Sequence, residues 1–176
     1  MKKFSYIVLT MLIFFCVNSK GSEKNKIIEN LKKINSIKFN FTQITNDVTE
    51  NGNCLIVYPK KMRCVYEEDK EIIVNNDYLF LINKREEKNY NYNIKDTPLG
   101  VMLDKENIIE KLSKVEKFNK IDKNIIAIID LNSQESIEIY FSSKEMNIVG
   151  WKIKNYLARG MKIFKTEKIF FNPENL

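Results

Sequence analysis

The spacing of apolar residues in this chain changes period once, near its start, and then stays mostly at two. Ile27, Ile28, Leu31 and Ile34 fall on one face at helical spacing, with Lys and Glu opposite. Ser22-Glu23 ahead of them supplies a cap residue and an acid for the positive end of the helix dipole. From Lys38-Phe39-Asn40-Phe41-Thr42-Gln43 onward, polar and apolar residues alternate as a half-buried strand requires. Asn46 to Gly52 reads as a polar turn region. Cys54 to Tyr58, a Pro59-Lys60-Lys61 turn and Met62 to Tyr66 form a hairpin. Glu71 to Val74, an Asn75-Asn76-Asp77 turn, Tyr78 to Ile82 and Lys88 to Ile94 continue the meander.

The strand pattern breaks at Thr97-Pro98, a cap followed by proline at a first helical position. Leu99, Met102 and Leu103 recur at i, i+3 and i+4 and share a face, and Gly100 inside that turn weakens it by up to about 1 kcal/mol relative to alanine. Asp104 restarts a second helix through Ile108, Ile109 and Leu112. Strands resume at Asn124 to Leu131, Ser136 to Phe141, Ile148 to Asn155 and Gly160 to Phe170. No repeat or interdomain linker is visible, and 176 residues suit one domain. The pattern predicts a mainly β, α+β fold: a strongly curved antiparallel sheet, with helical insertions available to cover one mouth.

Residues 1–19 have a different character. Lys2 and Lys3 precede an apolar run from Phe4 to Val17, and Val17-Asn18-Ser19 offers small or short side chains for a signal peptidase. The run is shorter than the roughly 20 residues that span a bilayer, so it reads as a cleaved signal with the mature chain, residues 20–176, beginning near Lys20. Cys16 lacks the small preceding residues of a lipidation site. Without Lys2 and Lys3 the formal charge falls from +6 to +4. The remaining lysines are scattered among acids, which together with export argues against a nucleic-acid partner.

Export also leaves two cysteines, Cys54 and Cys64, in a compartment where disulfides persist. If the Pro59-Lys60 turn pairs residues 57 and 61, these two lie directly opposite on one face. A one-residue slip in register would instead leave two buried thiols. The chain has no histidine, which removes Ser-His-Asp and Cys-His nucleophilic sites, His-ligated zinc and imidazole pH switches. Glu67-Glu68-Asp69 sits in a turn with no second acid at a definable spacing, and Cys54 and Cys64 are not in C-x-x-C form. No enzyme, metal or cofactor is expected.

Aromatic and methionine residues are frequent at strand positions, including Phe39, Phe41, Met62, Tyr66, Tyr78, Phe80, Tyr90, Tyr92, Phe141, Trp151 and Phe164. Such linings adapt to a mixed apolar guest, but they equally suit an ordinary sheet core, and periodicity alone does not separate the two.

In order and spacing, Ile37-Lys38-Phe39-Asn40-Phe41-Thr42-Gln43, Asn51-Gly52, Tyr58-Pro59-Lys60-Lys61-Met62-Arg63-Cys64-Val65-Tyr66 and Thr97-Pro98-Leu99 resemble the periplasmic outer-membrane lipoprotein carrier family, LolA. The resemblance runs from the first helix to about Leu103 and more weakly beyond. It implies an incomplete antiparallel β-barrel with helices over its concave apolar face. It also implies a periplasmic, monomeric shuttle that takes acylated lipoproteins from an inner-membrane lipoprotein-releasing ABC transporter to an outer-membrane acceptor. The expected acyl-chain cavity and lid comprise Phe39, Phe41, Met62, Tyr66, Phe80, Tyr90, Leu99, Met102, Leu103 and Trp151. Many members carry a lid-latching arginine before the proline, where this chain has Tyr58, so Tyr58 and Arg63 are the latch candidates.

Energetics set a condition on any such carrier. At about 0.8 kcal/mol per buried methylene, three long acyl chains represent some tens of kcal/mol, whereas affinity saturates near roughly 20 kcal/mol. A shuttle that must release its cargo therefore needs a loose cavity and a lid that covers its own apolar residues when empty. Another apolar-ligand binder or a scaffold of the cell envelope on the same fold is the alternative, since fold does not fix function.

Overall fold

The computed structural model describes residues 22–45, 48–155 and 167–173, with Asn155 and residues 167–173 by backbone alone. The expected signal, the cleavage site and Phe164 lie outside the described residues. Helix α1 spans Glu23–Lys33; the Ser22 hydroxyl accepts from the Asn25 N–H at 3.3 Å, Lys32 and Lys33 occupy the last turn, and Ile27 and Leu31 are buried.

Strands β1 (Ser36–Thr45), β2 (Val48–Val57), β3 (Lys61–Tyr66), β4 (Lys70–Asn75), β5 (Tyr78–Asn83) and β6 (Lys88–Asn93) follow as a meander. A short 3₁₀ turn (Ile94–Asp96) leads to α2 (Leu99–Met102) and α3 (Lys105–Lys114). The chain then forms β7 (Asn119–Ile121), β8 (Asn124–Asp130), β9 (Glu135–Ser142), β10 (Ile148–Asn155) and β11 (Glu167–Pro173). Among the described residues these make one antiparallel sheet in the order β6-β5-β4-β3-β2-β1-β11-β10-β9-β8-β7. β11 returns beside β1 and joins the two meanders, while β6 and β7 do not pair with each other. The sheet is therefore an incomplete, curved barrel. Its interior and the buried faces of α1, α2 and α3 share one apolar core.

The Pro59 turn pairs Val57 with Lys61 and so brings Cys54 opposite Cys64, which form a disulfide with Cα atoms 4.1 Å apart. Several element limits differ from expectation. The stretch read as a turn from Asn46 is mostly strand: Thr45 pairs with Val48, Gln43 with Glu50 and Phe41 with Gly52. Backbone pairing does not require apolar side chains, and this hairpin end is polar because it nears solvent. β6 ends at Asn93 because Ile94 opens the 3₁₀ turn. The three-residue β7 is too short for its period to register. Of the strand expected over Gly160 to Phe170, residues 160–166 lie outside the described residues.

Candidate functional site: an apolar cavity beneath α2

Concave positions follow from register. One row crosses the sheet from Ile37 through Ile56, Met62, Val74 and Leu79 to Tyr92, and the next from Phe39 through Cys54, Cys64, Ile72 and Leu81 to Tyr90. A third begins Phe41, Gly52, Tyr66. Gly52 has a packing reason. A Cβ there would lie 2.3 Å from the Val65 carbonyl oxygen and 2.7 Å from the Phe41 ring, so only glycine lets that ring lie flat across the strand. Phe41 then meets Tyr66 edge-on at 4.9 Å between centroids, and Phe39 meets Trp151 edge-on at 6.5 Å.

These residues enclose a cavity of about 140 Å³ lined by Phe39, Phe41, Gln43, Cys54, Met62, Cys64, Tyr66, Ile72, Leu99 and Trp151. Leu99 reaches it from α2; Met102 and Leu103 are fully buried in the surrounding core without lining it. Phe80 and Tyr90, also expected there, are not among the lining residues. Phe80 is 38% exposed and pairs with Ile73 on the convex face, whereas Tyr90, 43% exposed, lies on a concave row but out at the β6 edge. The cavity residues absent from the expectation are Gln43, Ile72 and the two cysteines. A signal for Gln43 was present: it continues the period-two face of Phe39 and Phe41.

Around the cavity, α2 is held by backbone geometry. The Lys60 N–H, in the Pro59 turn, donates to the Leu103 carbonyl at 2.8 Å. Thr97 does not cap α2 as expected; its hydroxyl donates to the Ile94 carbonyl at 2.9 Å and closes the 3₁₀ turn instead. A Cβ on Gly100 would sit 2.7 Å from that same Ile94 carbonyl oxygen, so this glycine serves close approach between α2 and the turn. Asp104 does cap α3, accepting from the Asn107 N–H at 3.1 Å.

Helices α1 and α3 are tied reciprocally. Lys24 donates to the Ser113 carbonyl and, at 2.9 Å, to that of Val115, while Lys105 donates to the carbonyls of Lys32 at 3.3 Å and Ile34 at 2.9 Å. Each ammonium thus satisfies the carbonyl end of the other helix.

Of the latch candidates, Tyr58 stands at the joint. Its N–H donates to the Asn35 carbonyl at 2.9 Å, and Lys105 lies 6.0 Å from its ring centroid. Burial pushes the Tyr58 hydroxyl up to about 12. A second hollow of about 500 Å³ adjoins it, rimmed by Asn35, Pro59, Lys60, Asp104, Lys105 and Glu106. Arg63 is elsewhere: its side chain is 67% exposed on the convex face and pairs with Glu71. Residues 62 and 63 face opposite sides of the sheet, so Arg63 lies on the face away from the cavity that Met62 lines.

Residues 32–163 match the family model described as outer membrane lipoprotein carrier protein LolA. The chain belongs to this family. No curated protein matches it. Solved structures similar to it include a protein domain from Vibrio parahaemolyticus assigned to outer membrane lipoprotein sorting, at 10% identity, covering 86% of this chain and 90% of that one with a TM-score of 0.43. A LolA superfamily protein from Nitrosomonas europaea is 6% identical, covering 87% and 94%, with a TM-score of 0.42. A DUF1329 family protein from Desulfovibrio piger is 6% identical, covering 86% and 90%, with a TM-score of 0.45. Among the described residues no helix of this LolA-family chain is long and apolar enough to cross a membrane, and no cluster of three or more Cys, Asp or Glu forms a metal site.

Proposed function

We propose that this LolA-family protein is an exported periplasmic carrier that holds the acyl chains of lipoproteins in the cavity beneath α2 and shuttles them between membranes. An inner-membrane lipoprotein-releasing ABC transporter would load it as a monomer, and an outer-membrane acceptor would unload it. The observation that carries this reading is the cavity itself: aromatic, methionine and cystine surfaces on one side, Leu99 on the other. At about 140 Å³ it is smaller than the roughly 300 Å³ at which small-molecule pockets begin, so an acyl chain enters only if α2 lifts.

The α2 segment is built for that movement. It is four residues long, joined to the sheet by the Lys60–Leu103 hydrogen bond, and flanked by the 3₁₀ turn and the Asp104 cap, each of which absorbs a hinge. The lysine ties between α1 and α3 keep the rest of the cover in place as it moves.

Mass spectrometry of the protein purified from its own cell envelope tests the reading. Acylated peptide is expected to travel with a chain beginning near Lys20. Protein that starts at Met1 in a membrane, or that carries no acylated molecule when its transporter is present, would contradict it.

A further inference from the structure

The cavity has a polar end. Along β1 the concave positions run Ile37, Phe39, Phe41, Gln43, and the six residue steps between the ends, at about 3.3 Å each, span some 20 Å. Ile37 belongs to the row of Met62 and Ile56, nearest the Pro59 turn that holds α2. Gln43 stands at the opposite end. It is only 8% exposed, its Oε1 accepts the Tyr66 hydroxyl at 2.8 Å, and its Nε2 donates to the Thr45 hydroxyl at 3.2 Å. A primary amide has two N–H groups and two carbonyl lone pairs, so one of each remains uncommitted on Gln43 among the described residues. Gln43 lines the cavity, so its spare N–H is available to an acceptor on a guest.

What lies beyond this pair narrows the guest. Lys70 sits 3.9 Å from the Tyr66 ring centroid and is paired with Glu50 of β2, across β3. The nearby cation is therefore already neutralised, so the end favours a neutral acceptor over a free carboxylate. We propose that Gln43, its amide oriented by the Tyr66 hydroxyl, forms a carbonyl-binding site whose spare N–H donates to an ester carbonyl of an acylglycerol group and sets its chains running toward Met62 and Leu99. This rests on the carrier reading and adds a polarity to it: glyceryl end at Gln43, methyl ends under α2.

Two fluorescent probes with identical chains test it, a diacylglycerol ester and its dialkyl ether counterpart, each titrated against the wild type, Gln43→Leu and Tyr66→Phe. The wild type is expected to bind the ester about five- to tenfold more tightly than the ether, the range of one hydrogen bond. Each variant is expected to lose the ester preference, so that its affinities for the two probes come together. Tyr66→Phe keeps the ring against Phe41, so it remains informative even if Gln43→Leu folds poorly. Equal affinities in the wild type, or an ester preference that survives in the folded variants, would overturn the site while leaving the carrier reading standing. Failure of the wild type to bind either probe would remove both.

Discussion

The two halves of the sheet solve the same packing problem in opposite ways. In β8 and β9 the concave side chains are mostly β-branched aliphatics, Ile125, Ile129, Ile137 and Ile139, with Ala127 and Phe141, and all are buried. None of these is among the residues that line the cavity. In β1 to β4 the concave side chains are Phe39, Phe41, Met62, Tyr66 and the cystine, and the cavity lies among them. Stiff branched side chains tile a surface with few options. Rings and thioethers have flat faces and free torsions, and they leave space that a small covering element can occupy or vacate. One half fills its own interior, and the other leaves a void.

The strongest way to break this contrast is a pair of truncations. Ile139→Ala should cost about 2–5 kcal/mol in denaturant unfolding and leave acyl-probe loading of the folded protein unchanged. Met62→Ala borders an existing void, so it should cost less, about 1–2 kcal/mol, and alter loading. Equal costs, with loading unaffected by either, would mean the halves are packed alike. Next, the cystine should stiffen only the cavity half. Replacing Cys54 and Cys64 together by alanine should lower stability by about 2–3 kcal/mol on the loop-entropy model for a separation of 10 residues. The variant should still bind probe once folded.

A third effect, smaller, concerns the joint at Tyr58. Its hydroxyl is raised from 10 to about 12 by burial, so the unfolded chain deprotonates first as pH climbs. Between those values the unfolded state binds fewer protons than the folded one, and stability falls with rising pH. Tyr58→Phe should remove that slope, retaining on the order of 1–2 kcal/mol more stability than wild type near pH 12. Parallel melting curves from pH 9 to 12 check this, and identical slopes would show the ring to be solvated.

Much of the fold was legible because local chemistry fixed it. The Pro59 turn sets the register that joins Cys54 to Cys64, and Ser22 and Asp104 mark two helix starts by their side chains. The site was legible only in part. In Tyr78-Leu79-Phe80-Leu81-Ile82 every residue is apolar, so alternation cannot say which face is inward, and Phe80 falls outward through its pairing with Ile73. Gln43 continued the period-two face of Phe39 and Phe41, yet the return of β11 beside β1 is a long-range pairing that no local pattern announces. Gly52 and Gly100 read as a turn and a weak point. Both answer close approaches between segments distant enough that only the assembled fold reveals them.

Trp151 offers the most direct measurement of the central claim, that acyl chains enter this cavity. It is the chain's one tryptophan and it lines the cavity against Phe39. Titration with a lipopeptide whose acyl chains carry bromine near mid-chain should quench its fluorescence saturably, and Leu99→Asp, which sets a carboxylate against the chains, should weaken that quenching at least tenfold. Binding of the same lipopeptide by equilibrium dialysis with Trp151 emission unchanged would contradict the account, because the chains would then lie somewhere else on the molecule.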